Sequence, residues 1–164
     1  MFRSGTMNTM NILVLGIGQR LRGDDVAGLE AVRLWQEKYP HSSSGVRVET
    51  SELPGLGLWD MLEGMDVAVV VDALQSRMST GTVIRLGPEE LASFKPGTGS
   101  AHGWGVAETL RLGFSLYPGL AKCRVTLIGI VGRRFDLGVG ISLEVEKTLP
   151  KAAEMIENVV GEWL

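Results

Sequence analysis

Short β-branched apolar runs that alternate with longer amphipathic stretches predict an α/β domain, a largely parallel sheet with helices on both faces. Three observations carry that expectation. Residues 11–17 (NILVLGI), 66–73 (DVAVVVDA) and 123–131 are apolar almost throughout, as strands covered on both faces must be. Stretches with helical spacing separate the strand-like runs. Glycine, at 22 of 164 residues, falls at the ends of the apolar runs rather than in a linker, which marks tight turns and close backbone approach.

Taken in order, residues 11–17 form the first strand and end in Gly16-Ile17-Gly18. Asp24 is placed to cap a helix in which Val26, Leu29, Ala31, Val32 and Trp35 share a face as far as Tyr39-Pro40. His41 to Gly45 reads as a polar loop, residues 46–50 as a second strand and 55–62 as a short helix after Pro54. Residues 66–73 form the clearest strand of the chain. Residues 81–86 alternate as a further strand, and Pro88-Glu89-Glu90 opens a short helix. A Gly-, Ser- and Pro-rich loop over 95–101 leads to His102 and a helix over about 103–116. The last strand is 123–131, and Ser142 caps a terminal helical region that Pro150 is expected to kink or divide. No repeat or boundary interrupts this pattern. Residues 1–10 are expected to be a flexible N-terminal leader and residues 11–164 a single domain.

Composition narrows the function classes. A formal net charge of -3 and scattered Lys and Arg, densest at Arg133-Arg134, lack the footprint of a nucleic-acid binder and argue against anionic membranes as partners. The lone Cys123 excludes an internal disulfide and a paired-cysteine zinc site. Residues 1–10 are polar, and the apolar run 12–15 is too short to span a bilayer, so a cytoplasmic location is expected.

Chemistry in an open parallel sheet collects beyond the carboxyl ends of the strands. Gln19, Asp24 and Asp25 follow the first strand, Asp72 is the first charge after five apolar residues, and His102 stands where a loop enters a helix. If the first and third strands are neighbours, about 4.8 Å apart, Asp72 can approach the turn that carries Asp25. Two carboxylates and an imidazole can bind a divalent metal or position and deprotonate a water. Each residue also has a plainer reading: the helix dipole favours Asp25, Asp72 could accept hydrogen bonds in a turn, and His102 could be an ordinary loop residue. His41 reads as solvated, and Cys123 as a small core thiol. Gly16-x-Gly18 has Leu21 where a dinucleotide fingerprint needs its third glycine, and no Gly-x-Ser-x-Gly elbow is present.

The segment from Ile12 to Gln19, continuing through Arg22-Gly23-Asp24-Asp25 to Gly28, resembles the opening of the hydrogenase-maturation endopeptidases. Val69-Val70-Val71-Asp72-Ala73 is similar to the second acidic motif of that family, and Ser100-Ala101-His102-Gly103 to its histidine motif. Three blocks in order span nearly the whole chain. The resemblance implies a three-layer α/β/α fold with a five-stranded, mostly parallel sheet. It implies an endopeptidase that removes the C-terminal extension of a nickel-loaded nickel–iron hydrogenase large-subunit precursor. Asp25, Asp72 and His102 would be both its metal-facing and its catalytic residues. Nickel would arrive on the precursor, with no tightly bound cofactor in the free enzyme, which is expected to be a monomer. The chain departs from the family pattern at Gln19, where Asn is usual, at Asp25, where Glu is frequent, and at Val26-Ala27, where a glycine is common. The loop Thr50 to Gly55 and Val131-Gly132 differ too. A catalytically silent metal- or partner-binding relative and a dinucleotide-binding module are the alternative readings.

Overall fold

The computed structural model describes residues 9–52, 55–93 and 105–164. Its elements in chain order are β1 (Ile12–Ile17), α1 (Ala27–Lys38), α2 (Pro40–Ser44), β2 (Arg47–Ser51), α3 (Gly57–Leu62), β3 (Val67–Leu74), β4 (Val83–Leu86), α4 (Pro88–Ser93), α5 (Val106–Leu116), β5 (Arg124–Val131) and α6 (Leu143–Gly161). Five strands form one sheet in the order β2-β1-β3-β5-β4. All neighbours run parallel except β4, which pairs antiparallel with β5. This is the largely parallel α/β sheet that the apolar runs predict, with the five strands that the family resemblance implies.

Alternation along the strands divides the core into two layers. Val14, Val69, Val71, Ile128 and Ile130 face α1 and α6, where Trp35, Val145, Ala152, Ala153 and Ile156 are buried. Leu13, Leu15, Ala68, Val70, Val125 and Leu127 face the other way, against Leu58 of α3, Leu91 of α4, and Ala107 and Leu110 of α5. Every residue of β1 is buried, and so are the first five of β3. That is why these two strands read in the sequence as unbroken apolar runs.

Four local expectations are corrected. The helix begins at Ala27, not beside Asp24: a single 3-10 turn, Gly23–Val26, precedes it, and no side chain caps α1. The serines after Pro40 form the short helix α2 instead of a loop, since proline's fixed φ suits a first helical turn. The β4 strand starts at Val83, two residues later than the alternation suggests. Pro150 does not divide α6, which runs from Leu143 to Gly161 with the proline inside it. Packing on both sides of Pro150 holds it in one piece, because Val145 and Leu149 before it and Ala152, Ala153 and Ile156 after it are all buried. The expected helix over 103–116 is α5 from Val106 onward, and residues 103 and 104 lie outside the described residues.

One contact fixes how α1 sits on the sheet. A Cβ at Gly28 would lie 2.3 Å from the Ile17 carbonyl oxygen and 2.4 Å from that of Val71. The first turn of α1 therefore rests directly on the carboxyl ends of β1 and β3. Gly28→Ala is expected to lower stability by about 3 kcal/mol, because backbone rather than a flexible side chain must move. Urea unfolding measures this, and an unchanged midpoint would contradict the packing described.

Candidate active site

The turn between β1 and α1 carries the first acidic residue of the site. Gly18 leaves the sheet so close to the following turn that a Cβ there would lie 1.9 Å from the Asp25 carbonyl oxygen. Its own N–H donates to the Ser51 carbonyl at 3.1 Å, continuing the β1–β2 pairing. The chain then doubles back, and the Gln19 N–H donates to Asp25 Oδ2 at 2.9 Å. Asp25 N–H donates in turn to the Arg22 carbonyl at 3.0 Å. The Asp25 carboxylate is thus held by backbone within its own turn. A backbone amide that a dinucleotide fold would aim at phosphate is here committed to a carboxylate, which would repel phosphate.

Asp72 lies near the end of β3, opposite Gly129 of β5 and one residue beyond the Gly16–Val71 pair with β1. The first and third strands are neighbours, as the approach of the two acids requires. By alternation Asp72 shares the face of Ala68 and Val70, the face covered by α5. Burial among apolar strand residues pushes its carboxyl up to about 8, the nearby Asp25 charge pushes it the same way, and the Ala73 N–H only partly offsets them. The two carboxylates therefore sense one another across the carboxyl edge of the sheet.

His102 lies outside the described residues. The nearest described residue after it, Gly105, flanks the N-terminus of α5. The C-terminus of α5 leads through a 3-10 turn, Leu120–Lys122, to the amino end of β5, so the helix begins at the carboxyl edge where Asp72 lies. Among the described residues no three His, Cys, Asp or Glu side chains gather to hold a metal ion.

Asp24 has a role that the sequence reading missed. Its side chain is completely buried. It accepts hydrogen bonds from the N–H groups of Arg133 (2.8 Å), Arg134 (3.0 Å) and Ser142 (2.7 Å), and from Ser142 Oγ (2.9 Å). Its own N–H donates to the Arg134 carbonyl at 2.6 Å. Burial alone would raise this carboxyl, but the four donors outweigh it and the net displacement is downward. Ser142 stands at the N-cap of α6, as expected, but its hydroxyl serves Asp24 instead of its own helix. The signal available in the sequence was the acidic doublet itself: adjacent residues on a 3-10 turn point about 120° apart, so both cannot face one cleft.

Two minor readings agree with the structure. Cys123 is buried and its thiol is pushed up to about 12, chiefly by burial, which suits a core residue and not a nucleophile. His41 is exposed on α2.

An open α/β sheet with two acids near one another at its carboxyl edge, one accepting a backbone hydrogen bond within its own turn and one raised by burial, can position and deprotonate a water. Comparison with known proteins makes the class specific. Residues 54–159 match the family described as hydrogenase maturation protease. The chain is 30% identical to a putative hydrogenase maturation protease of Methanocaldococcus jannaschii, over 92% of this chain and 96% of that one. It is 26% identical to the hydrogenase 2 maturation protease of Escherichia coli, over 90% and 88% respectively. Among solved structures, the [NiFe] hydrogenase maturation protease HybD from Thermococcus kodakarensis superposes with a TM-score of 0.72 at 32% identity, covering 92% of this chain and 99% of that one. The hydrogenase maturating endopeptidase HybD from E. coli shares the fold, with a TM-score of 0.74 at 22% identity over 93% of both chains. This chain belongs to the hydrogenase maturation protease family and is a hydrolase, an endopeptidase.

Two outcomes are expected from the acids. Asp24 has a folded-state pKa below its unfolded value near 3.8, so its contribution is present above that pH and lost as pH falls further, through the folded value. Asp24→Asn is expected to cost about 2–4 kcal/mol at pH 7, because an amide turns an N–H toward buried donors, and to flatten the acid limb of stability below pH 4. Asp72 has the opposite sign. Its folded-state penalty is absent below 3.8, grows as pH rises, and is complete above about 8. Asp72→Asn is therefore expected to raise the melting temperature at pH 8 by a few degrees, about 1–2 kcal/mol given its partial solvent access, with no gain at pH 4. Melting curves at the two pH values test both.

Proposed function

We propose that this endopeptidase removes the C-terminal extension from a nickel-loaded nickel–iron hydrogenase large-subunit precursor, with Asp25, Asp72 and His102 facing the nickel that the precursor carries. The observation that supports this most is the approach of Asp25 and Asp72 at the carboxyl edge of the sheet, where burial and the Asp25 charge both disfavour a second negative charge on Asp72. A cation brought by the substrate relieves that repulsion, so a loaded precursor gains contacts that an unloaded one lacks. Binding energy then places the scissile peptide in reach. Asp25 or Asp72 accepts a proton from a water, whose oxygen adds to the scissile carbonyl carbon. The carbon–nitrogen bond breaks and the leaving amine takes up the proton, giving two chains with free carboxylate and amine ends.

No helix among the described residues is long and apolar enough to cross a membrane. We read the protein as a cytoplasmic monomer with its single domain over residues 11–164, whose partner is the precursor.

Alanine at Asp25, Asp72 or His102 is expected to lower processing of nickel-loaded precursor by at least about 100-fold, the scale of a lost general base or ligand. Electrophoretic detection of the shortened subunit is the readout. Full activity of the His102→Ala variant would remove that histidine from the mechanism, and precursor left intact by the wild-type protein would overturn the substrate assignment.

A further inference from the structure

The outer rim of β2 is the unpaired edge of the sheet nearest the turn that carries Asp25. Among the described residues β2 is the terminal strand in the sheet order and pairs only with β1. Its carboxyl end, Ser51, lies opposite Ile17, and the Ser51 carbonyl accepts from Gly18, the residue before Gln19. Since Ser51 turns its backbone polar groups toward β1, alternation sends those of Val48 and Thr50 outward. Among the described residues neither has a backbone hydrogen bond on that side. No residue of β2 is buried, unlike β1 and β3, and α2, the helix that leads into it, stands at its amino end away from the site. On its face β2 carries an Arg47–Glu49 ion pair, which discourages apolar self-pairing but leaves the outward donors and acceptors free.

We propose that the precursor segment flanking its scissile bond docks as an added strand on the open edge of β2. This rests on the substrate reading above and deepens it. Two outward N–H groups and two outward carbonyls recognise an extended backbone whatever its side chains. An added strand would lie about 4.8 Å beyond β2 and therefore about 14 Å from β3, which carries Asp72. Extended chain covers about 3.3 Å per residue, so the docked residues would lie about four to five positions from the scissile bond. The peptide would leave the β2 edge near Ser51, cross above the end of β1 and reach Asp25 and Asp72. The Arg20–Glu52 pair, 3.8 Å apart and largely exposed, flanks this path.

The test uses Thr50→Pro in the full chain. Proline removes an outward N–H without touching the ladder to β1, and an edge strand tolerates it there. With a nickel-loaded hydrogenase large-subunit precursor as substrate, KM is expected to rise about tenfold while kcat falls by much less. In parallel, hydrogen exchange of the wild-type protein is followed with a precursor made uncleavable by substitution at its scissile bond. Exchange at the Val48 and Thr50 amides is expected to slow at least tenfold on binding, a result that does not depend on how the variant folds. Unchanged KM in the variant, or exchange at both amides as fast in the complex as in the free protein, would overturn the edge assignment while leaving the substrate reading intact. Protection at these amides without precursor, accompanied by a dimer in light scattering, would assign the edge to a second copy and overturn it too. Failure of the wild-type protein to cut the precursor at all would instead overturn the substrate reading, and the docking proposal with it.

Discussion

The buried carboxylate of Asp24 is the constraint on which the site depends. It ties the turn after β1 to the connection between β5 and α6, segments more than a hundred residues apart in sequence. Four donors converge on it, and its own N–H returns a bond to the same loop. Removing an ionised carboxylate from water costs several kcal/mol unless such donors replace the lost hydration, and here they hold it below the usual carboxylate range. With Asp24 locked inward, the 3-10 turn has one orientation, and Asp25, the next residue, is directed to the other side of it. The acidic doublet thus divides its work: one acid builds the turn and the other is presented by it.

Asp25 and Asp72 are set at the carboxyl edge by different means. Asp25 is fixed by the Gln19 N–H in a tight local loop, which needs no partner from elsewhere in the chain. Asp72 is fixed by its strand, whose neighbours on both sides are pairing partners and whose preceding residues are all buried. It keeps a charge-unfriendly position that an apolar residue would fill better, the kind of local cost that functional sites carry. The opposite layer offsets it. Trp35 of α1 is fully buried and its indole N–H reaches Glu157 of α6 at 2.8 Å, while Ser42 binds the other Glu157 oxygen at 2.6 Å. The α1–α6 seam is closed by packing and by satisfied polar groups, so the sheet is rigid behind the site.

Much of this was legible in the sequence, and the reason is local. Strands buried on both faces are apolar almost throughout, so β1, β3 and β5 stand out in the sequence, and the first charge to interrupt β3 is Asp72. The neighbour relation of β1 and β3 entered the reading as a condition and holds in the fold. What stayed hidden depends on distant partners. Asp24 read as a helix cap because its position before an amphipathic run is ordinary for one, and nothing nearby in sequence marks Arg133, Arg134 and Ser142 as its donors. Pro150 read as a break because the helix-breaking rule is local, whereas the burial that holds α6 together comes from α1 and the sheet. The serines after Pro40 read as loop because α2 has no buried residue to give it a periodic signal. His102 is marked only by the motif it resembles, and it lies outside the described residues.

The chain's route through the sheet explains why residues so far apart in sequence meet. From β1 the chain crosses by α1 to β2 on one side, then returns by α3 to β3 on the other side of β1. α1 belongs to one face of the sheet and α3 to the opposite face. The chain leaves β1 toward β2 on one side and leaves β3 toward β4 on the other, so the two connections diverge above these adjacent strands, the place where open sheets of this kind hold their ligands. Asp25 sits where the first connection begins, and Asp72 in the strand that opens the second. Gly28 lets α1 settle onto the ends of both strands, which brings the Asp25 turn down to the level of Asp72. A larger residue at that point would lift the turn and separate the acids even if every strand stayed paired. The carboxylate pair is thus a product of strand order and one close backbone approach, and the acidic edge follows from the same packing that closes the core.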